Sequence, residues 1–192
     1  MFRAQGIASI VSSRTKLALS GFHYNFSAAS NVSYPMRLDA SIHIRRSPQD
    51  VSIYLGDVSN VAAWDRGVSR TEASPDTPTG VGFEFDTYAH PRGHSRDGAW
   101  GKMSYRISDI DPVRGCTIQL TSTTGNARYF KSAEWRFRVE PEREGSRVFC
   151  TALFQLKGRY LMLAPIFLSM KRAIRTDLEQ LKAKLEVQET DP

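Results

Sequence analysis

Acid is missing from the start of this chain, where no Asp or Glu precedes Asp39. Cysteine is scarce as well, with only Cys116 and Cys150 among 192 residues. Two thiols in strand-like stretches are too few for a disulfide framework, so both are expected to be reduced core residues of an intracellular protein. Long apolar runs are absent too. The stretch Tyr160–Leu168 has nine residues, well short of the about 20 that a membrane-spanning helix needs. No apolar segment near the start is long enough for a secretory signal, which leaves the acceptor triplets at Asn25 and Asn31 inert. A nucleophile elbow, a phosphate loop and a paired-cysteine metal pattern are also lacking. Gly80-Val81-Gly82 precedes a strand instead of joining a strand to a helix, so its glycines serve a turn and not a dinucleotide.

The residues that are present suit one soluble domain. Hydrophobic residues make up 41% and charged residues 24%, ordinary values for a globular protein with a real core. The formal charge is +6. Part of that excess comes from Arg3, Arg14, Lys16 and Arg37, and the remaining cations are interleaved with acids, so no nucleic-acid partner is expected. Residues 1–36 form an acid-poor, Ser- and Ala-rich extension. It reads as a flexible tail, as a mitochondrial transit peptide, or as sequence upstream of a start at Met36. The location is accordingly cytoplasmic, with a mitochondrial alternative. The domain proper is expected over 37–187, with a short tail at 188–192.

From Leu38 to Arg45, apolar Leu38, Ala40, Ile42 and Ile44 alternate with polar residues, as in a half-buried strand. Ser47-Pro48-Gln49-Asp50 then supplies a helix cap, a proline at the first helical position and an acid in the first turn. That helix ends at Gly56-Asp57, and a second short one follows over Val58–Trp64. Strands are expected at Val68–Ala73, Val81–His90, Ala99–Ile110, Cys116–Thr123, Tyr129–Glu140 and Arg147–Leu156, separated by turn residues. A long amphipathic helix over Arg159–Glu186 closes the chain. Leu163, Phe167, Met170, Ile174, Leu178, Leu181 and Leu185 share one face; Lys171, Arg172, Arg175 and Asp177 are assigned to the other. Pro165 is expected to kink it, setting Arg159–Ala164 apart. The fold class is α+β, one curved antiparallel sheet covered by one long helix.

This order, with several local phrases, resembles the SRPBCC superfamily, the START-like or birch-pollen-allergen-like helix-grip proteins, and within it the polyketide cyclase/dehydrase type. The phrases are Ala40-Ser41-Ile42-His43-Ile44, Asp57-Val58-Ser59-Asn60-Val61-Ala62-Ala63-Trp64, Trp135-Arg136-Phe137 and Leu178-Glu179-Gln180-Leu181-Lys182. The resemblance implies a sheet of about seven strands gripping the long helix around an internal hydrophobic cavity. It implies a small hydrophobic ligand or substrate, with a homodimer possible. For function it implies a cyclase, dehydratase or isomerase acting on a polyketide-like or other hydrophobic natural-product intermediate, or a non-catalytic carrier or sensor of a lipid or hydrophobic metabolite, a quinone-type lipid if residues 1–36 are a mitochondrial leader.

A cyclase needs a base beside a carbonyl and a donor for the enolate. Glu84, Tyr88, His90 and Tyr105 are the candidate catalytic residues. Trp64, Phe83, Phe85, Trp100, Met103, Tyr129, Trp135, Phe137 and Phe167 are the candidate substrate-binding residues, because flat rings suit a flat apolar ligand. His90 and His94 lie four apart, yet Pro91 and Gly93 deny them a helix, so no metal is expected. Aldol and dehydration chemistry needs no cofactor, and none is expected.

Overall fold

The computed structural model describes residues 36–73, 79–90, 101–122 and 124–187. The expectations for residues 1–35, for the loop at 74–78, and for His94 and Trp100 lie outside them. Strand β1 (Met36–Ile44) opens the fold. Ser47 then turns the chain into helix α1 (Pro48–Gly56): its Oγ accepts the Asp50 N–H at 3.1 Å, and Pro48 fills the first turn, where no N–H is required. Asp57 ends α1 and caps the 3-10 turn Val58–Asn60, accepting the Ser59 N–H at 2.9 Å. Helix α2 (Val61–Trp64) follows directly.

The strands come next: β2 (Val68–Ala73), β3 (Glu84–Ala89), β4 (Lys102–Asp111), β5 (Gly115–Leu120), β6 (Phe130–Glu142) and β7 (Gly145–Leu156). They pair with β1 in one seven-stranded antiparallel sheet of order β1-β7-β6-β5-β4-β3-β2. The first strand therefore lies beside the last. A 3-10 turn over Gly158–Leu163 and helix α3 (Ala164–Leu168) lead into α4 (Lys171–Val187), which packs on β1 and α2.

Strand register builds the inner face in rows. Leu38, Ala152, Trp135, Ile118 and Ile107 stand side by side across five strands, all buried. Small Ala152 beside Trp135 gives the indole its room. The adjoining row runs Ala40, Cys150, Phe137, Cys116 and Ile110, so the two thiols flank one ring. Gly115 starts β5 at φ 109°, and a Cβ there would lie 2.2 Å from the Phe137 carbonyl oxygen, which leaves glycine as the residue that fits.

Two expectations are corrected. The strand expected from Val81 starts later: Gly82 at φ 91° ends the alternation, β3 begins only at Glu84, and Val81 is 68% exposed. Pro165 does not mark the single break in the closing segment. It sits in the first turn of α3, where proline is tolerated, and Arg159–Leu163 is set apart before it in the 3-10 turn Gly158–Leu163, as expected; the helix that follows is broken a second time, at Ser169–Met170 between α3 and α4.

Burial pushes both thiols up to about 12, which removes thiolate at neutral pH and with it reactivity. Cys116 and Cys150 should resist a thiol-reactive dye in the native protein and label at once in denaturant. Prompt native labelling of either would contradict this packing.

Candidate functional site

The inner face is an aromatic surface with a small polar island. Phe85 stacks on Tyr105 at 5.7 Å, Tyr105 meets Trp135 edge-on at 5.4 Å, and Trp135 meets Phe154 at 5.4 Å. Phe130 continues the chain to Phe167 of α3 at 5.2 Å. Trp64 at the end of α2 packs edge-on against Phe137 at 5.8 Å, and its buried indole N–H finds no hydrogen-bond partner among the described residues. Such a donor is costly to leave unmade, by about 1–3 kcal/mol, so a bound polar group there would be rewarded.

The island consists of Asp65, Asp177, Tyr105 and Thr87, all buried. Asp65 closes α2: its N–H reaches the Val61 carbonyl at 2.9 Å, and its Oδ1 accepts the Gly67 N–H at 2.8 Å. Asp177 enters from α4, three residues after Ile174 and four before Leu181. Burial pushes the Asp65 carboxyl up to about 7, and the nearby Asp177 charge adds to that, while the Gly67 N–H pulls the other way. Burial also raises the Tyr105 hydroxyl well above its ordinary value, with the Asp65 charge as a second cause and the Thr87 hydroxyl opposing. At neutral pH Tyr105 is therefore a neutral donor, and Asp65 can either hold or release a proton.

The expected site residues divide between the two faces of the sheet. Trp64, Phe83, Phe85, Met103, Tyr129, Trp135, Phe137 and Phe167 are all buried on the inner side, and so is Tyr105. Glu84, by contrast, is exposed on the outer face, where Arg106 Nε donates to it at 3.0 Å. Tyr88 lies on the same outer face, its hydroxyl donating to Glu72 at 2.7 Å and its ring under the Arg70 guanidinium. Strand alternation forces this separation, since both have the opposite parity to Phe85 and Thr87. His90 follows β3 and is exposed. Tyr105 is thus the one expected catalytic residue among the buried groups, and the carboxylates beside it were not expected. Asp177 was assigned to the polar face of the closing helix, yet its spacing from Ile174 and Leu181 puts it in the apolar stripe. Asp65 carried a fainter signal: a lone acid directly after a large apolar anchor.

Outer-face chemistry is different. A groove of about 1130 Å³ crosses this side, lined by Arg37, Asp39, Thr117, Arg136, Arg138 and Thr151 among others. Arg37 pairs with Asp39, Arg136 with Glu134 and Arg138 with Glu140. Paired, solvated charges suit a hydrophobic ligand poorly.

A family profile described as "Polyketide cyclase / dehydrase and lipid transport" matches residues 35–186. The chain belongs to this family. Solved structures agree on the fold. An aromatase/cyclase from Streptomyces, Zhui, superposes at TM-score 0.62 with 12% identity, over 80% of this chain and 94% of that one. A Thermus thermophilus protein gives 0.59 and 18%, over 80% and 99%. Ara h 8.0201 gives 0.60 and 11%, over 80% and 99%. Among curated proteins no significant sequence relative is found.

Within this polyketide cyclase-like interior, Asp65 makes stability depend on pH. The folded chain holds its proton up to about 7, against 3.8 for an ordinary aspartate. The resulting stabilisation is full below about pH 4 and is lost as pH rises toward 7. Asp65→Asn keeps the Oδ1 acceptor for Gly67 and should flatten the fall in urea midpoint across that window. An unchanged slope in the variant would show that Asp65 does not titrate there.

Proposed function

We propose that this protein binds a polyketide-like or other hydrophobic intermediate between the sheet and α4 and directs its cyclisation, with dehydration or isomerisation. The observation that carries this reading is a buried carboxyl held near neutrality, Asp65, beside a buried phenol kept protonated, Tyr105. A general acid–base group works best with a pKa near the operating pH. Ionised Asp65 would take the proton next to a ligand carbonyl, and Tyr105 would donate a hydrogen bond to the enolate oxygen that forms. The enolate carbon attacks a second carbonyl of the same chain, and protonated Asp65 returns its proton to the new alkoxide. Loss of water from that alcohol gives the unsaturated ring. No step changes oxidation level, so the scheme needs no redox cofactor. Phe85, Trp135 and Phe137 would hold the chain folded, which lowers the entropic part of the barrier, and the Trp64 N–H would bind a carbonyl.

Carriage of a lipid or hydrophobic metabolite is the second reading. It is favoured by the lipid-transport members that the family description names and by the mainly apolar character of the inner face. Native mass spectrometry of the protein from its own host, with extraction of anything bound, separates the two. A cyclic metabolite or its linear precursor supports the cyclase, and a phospholipid, sterol or quinone supports the carrier. With the precursor in hand, Asp65→Asn and Tyr105→Phe should each lower turnover by about 10²–10⁴-fold while ligand binding persists. Wild-type turnover in both variants would remove the acid–base scheme.

A further inference from the structure

One end of the molecule exposes large apolar side chains among cations. The link from β7 to α4 leaves Leu161 51%, Met162 85% and Leu168 51% exposed. Large apolar side chains at that level of exposure, on a short stretch of helical turns, cost hydration without contributing to the core. The link is nevertheless held in place. Phe167 is buried against Phe130, and Tyr160 meets Tyr129 edge-on at 4.9 Å. The Lys157 N–H also reaches the Tyr129 carbonyl at 3.0 Å, joining the link to the 3-10 turn Gly125–Tyr129.

Cations predominate along the chain at this end, and the nearby acid Asp39 on β1 is held low chiefly by its hydrogen bond to Arg37, with the Lys171 charge as a smaller cause. No Asp or Glu occurs between Glu144 and Asp177, nor between Asp111 and Glu134. The two segments that meet here instead carry Arg128, Lys131, Lys157, Arg159, Lys171 and Arg172. Lys131, Arg159, Lys171 and Arg172 are exposed, Arg128 donates to the Tyr129 hydroxyl at 2.7 Å, and the Arg159 guanidinium lies over the Tyr160 ring. Exposed aliphatic side chains framed by long cations match the interface of an anionic bilayer: the apolar groups enter the acyl boundary while the cations stay at the headgroups. The segment is far too short to cross, and among the described residues no helix is long and apolar enough to do so.

We infer that the face formed by Leu161, Met162 and Leu168 with Lys157, Arg159, Lys171 and Arg172 docks the protein peripherally on anionic lipid membranes. This stands apart from the choice between cyclase and carrier, because either would gain by meeting a hydrophobic ligand at the membrane where such ligands partition.

The test is flotation of the whole chain with phosphatidylcholine vesicles, with and without phosphatidylserine. Binding should require phosphatidylserine and weaken with added salt. Lys171→Gln with Arg172→Gln should lower partitioning by about 25-fold, from about fivefold per cation. Leu161→Ser with Met162→Ser should also lower it, and since both side chains already face solvent, the thermal midpoint should stay at the wild-type value. Equal binding to phosphatidylcholine alone, or wild-type partitioning by both variants, overturns the inference. So does a chain that ignores vesicles and dimerises through this face, seen as a sedimentation shift that Met162→Ser abolishes.

Discussion

The apolar stripe of α4 must be covered, and the form of the molecule follows from how that is done. Ile174, Leu178, Leu181 and Leu185 are buried, each contributing about 1.5–3 kcal/mol relative to exposure. A single helix cannot cover such a stripe itself. The sheet provides the surface by pairing its first strand with its last, so that β1 and β7 bring the two ends of the domain together beneath α4. Arg46 then reaches the Leu185 carbonyl at 2.9 Å and Glu186 accepts the Arg45 N–H at 2.9 Å, which ties the end of the helix to the end of β1.

Placing Asp177 within that stripe runs against the packing that the rest of it provides. A buried carboxylate is expensive to keep ionised, and Asp65 stands close enough to feel its charge. Two such groups in an aromatic interior do little for stability, and proteins keep unfavourable groups of this kind where they serve a site. The aromatic rows of β3, β4, β6 and β7 exclude water from the island, so the field between Asp65 and Tyr105 is screened little.

Much of the fold was legible from alternation and punctuation. The cap at Ser47, the parity of Phe85, Tyr105, Trp135 and Phe137, and the stripe from Ile174 to Leu185 all follow from local rules that burial then enforces. Val81 was misread because alternation says nothing about where a strand begins; Gly82 sets that through its positive φ. Pro165 marked the start of a helix correctly, since Gly158–Leu163 is a separate 3-10 turn, but the second break at Ser169–Met170 carries no proline and went unread. A candidate carboxylate was sought on β3, where acids alternate with aromatics, and alternation itself puts Glu84 and Tyr88 on the outer face. Asp177 was hidden by residue type: a carboxylate was assigned to the solvent face although its spacing places it inside. No local pattern reports that a residue at a helix end, Asp65, will meet one on a strand and another on α4, because only the tertiary fold brings them together.

The central claim is that the interior holds an acid–base group poised near neutrality. Carbon-13 NMR of the Asp65 side-chain carboxyl, assigned by comparison with Asp65→Asn and followed through pH, tests it most directly. The account predicts a midpoint near 7. Titration of that carboxyl near 3.8, the ordinary aspartate value, would contradict it and leave the inner face as a passive hydrophobic surface.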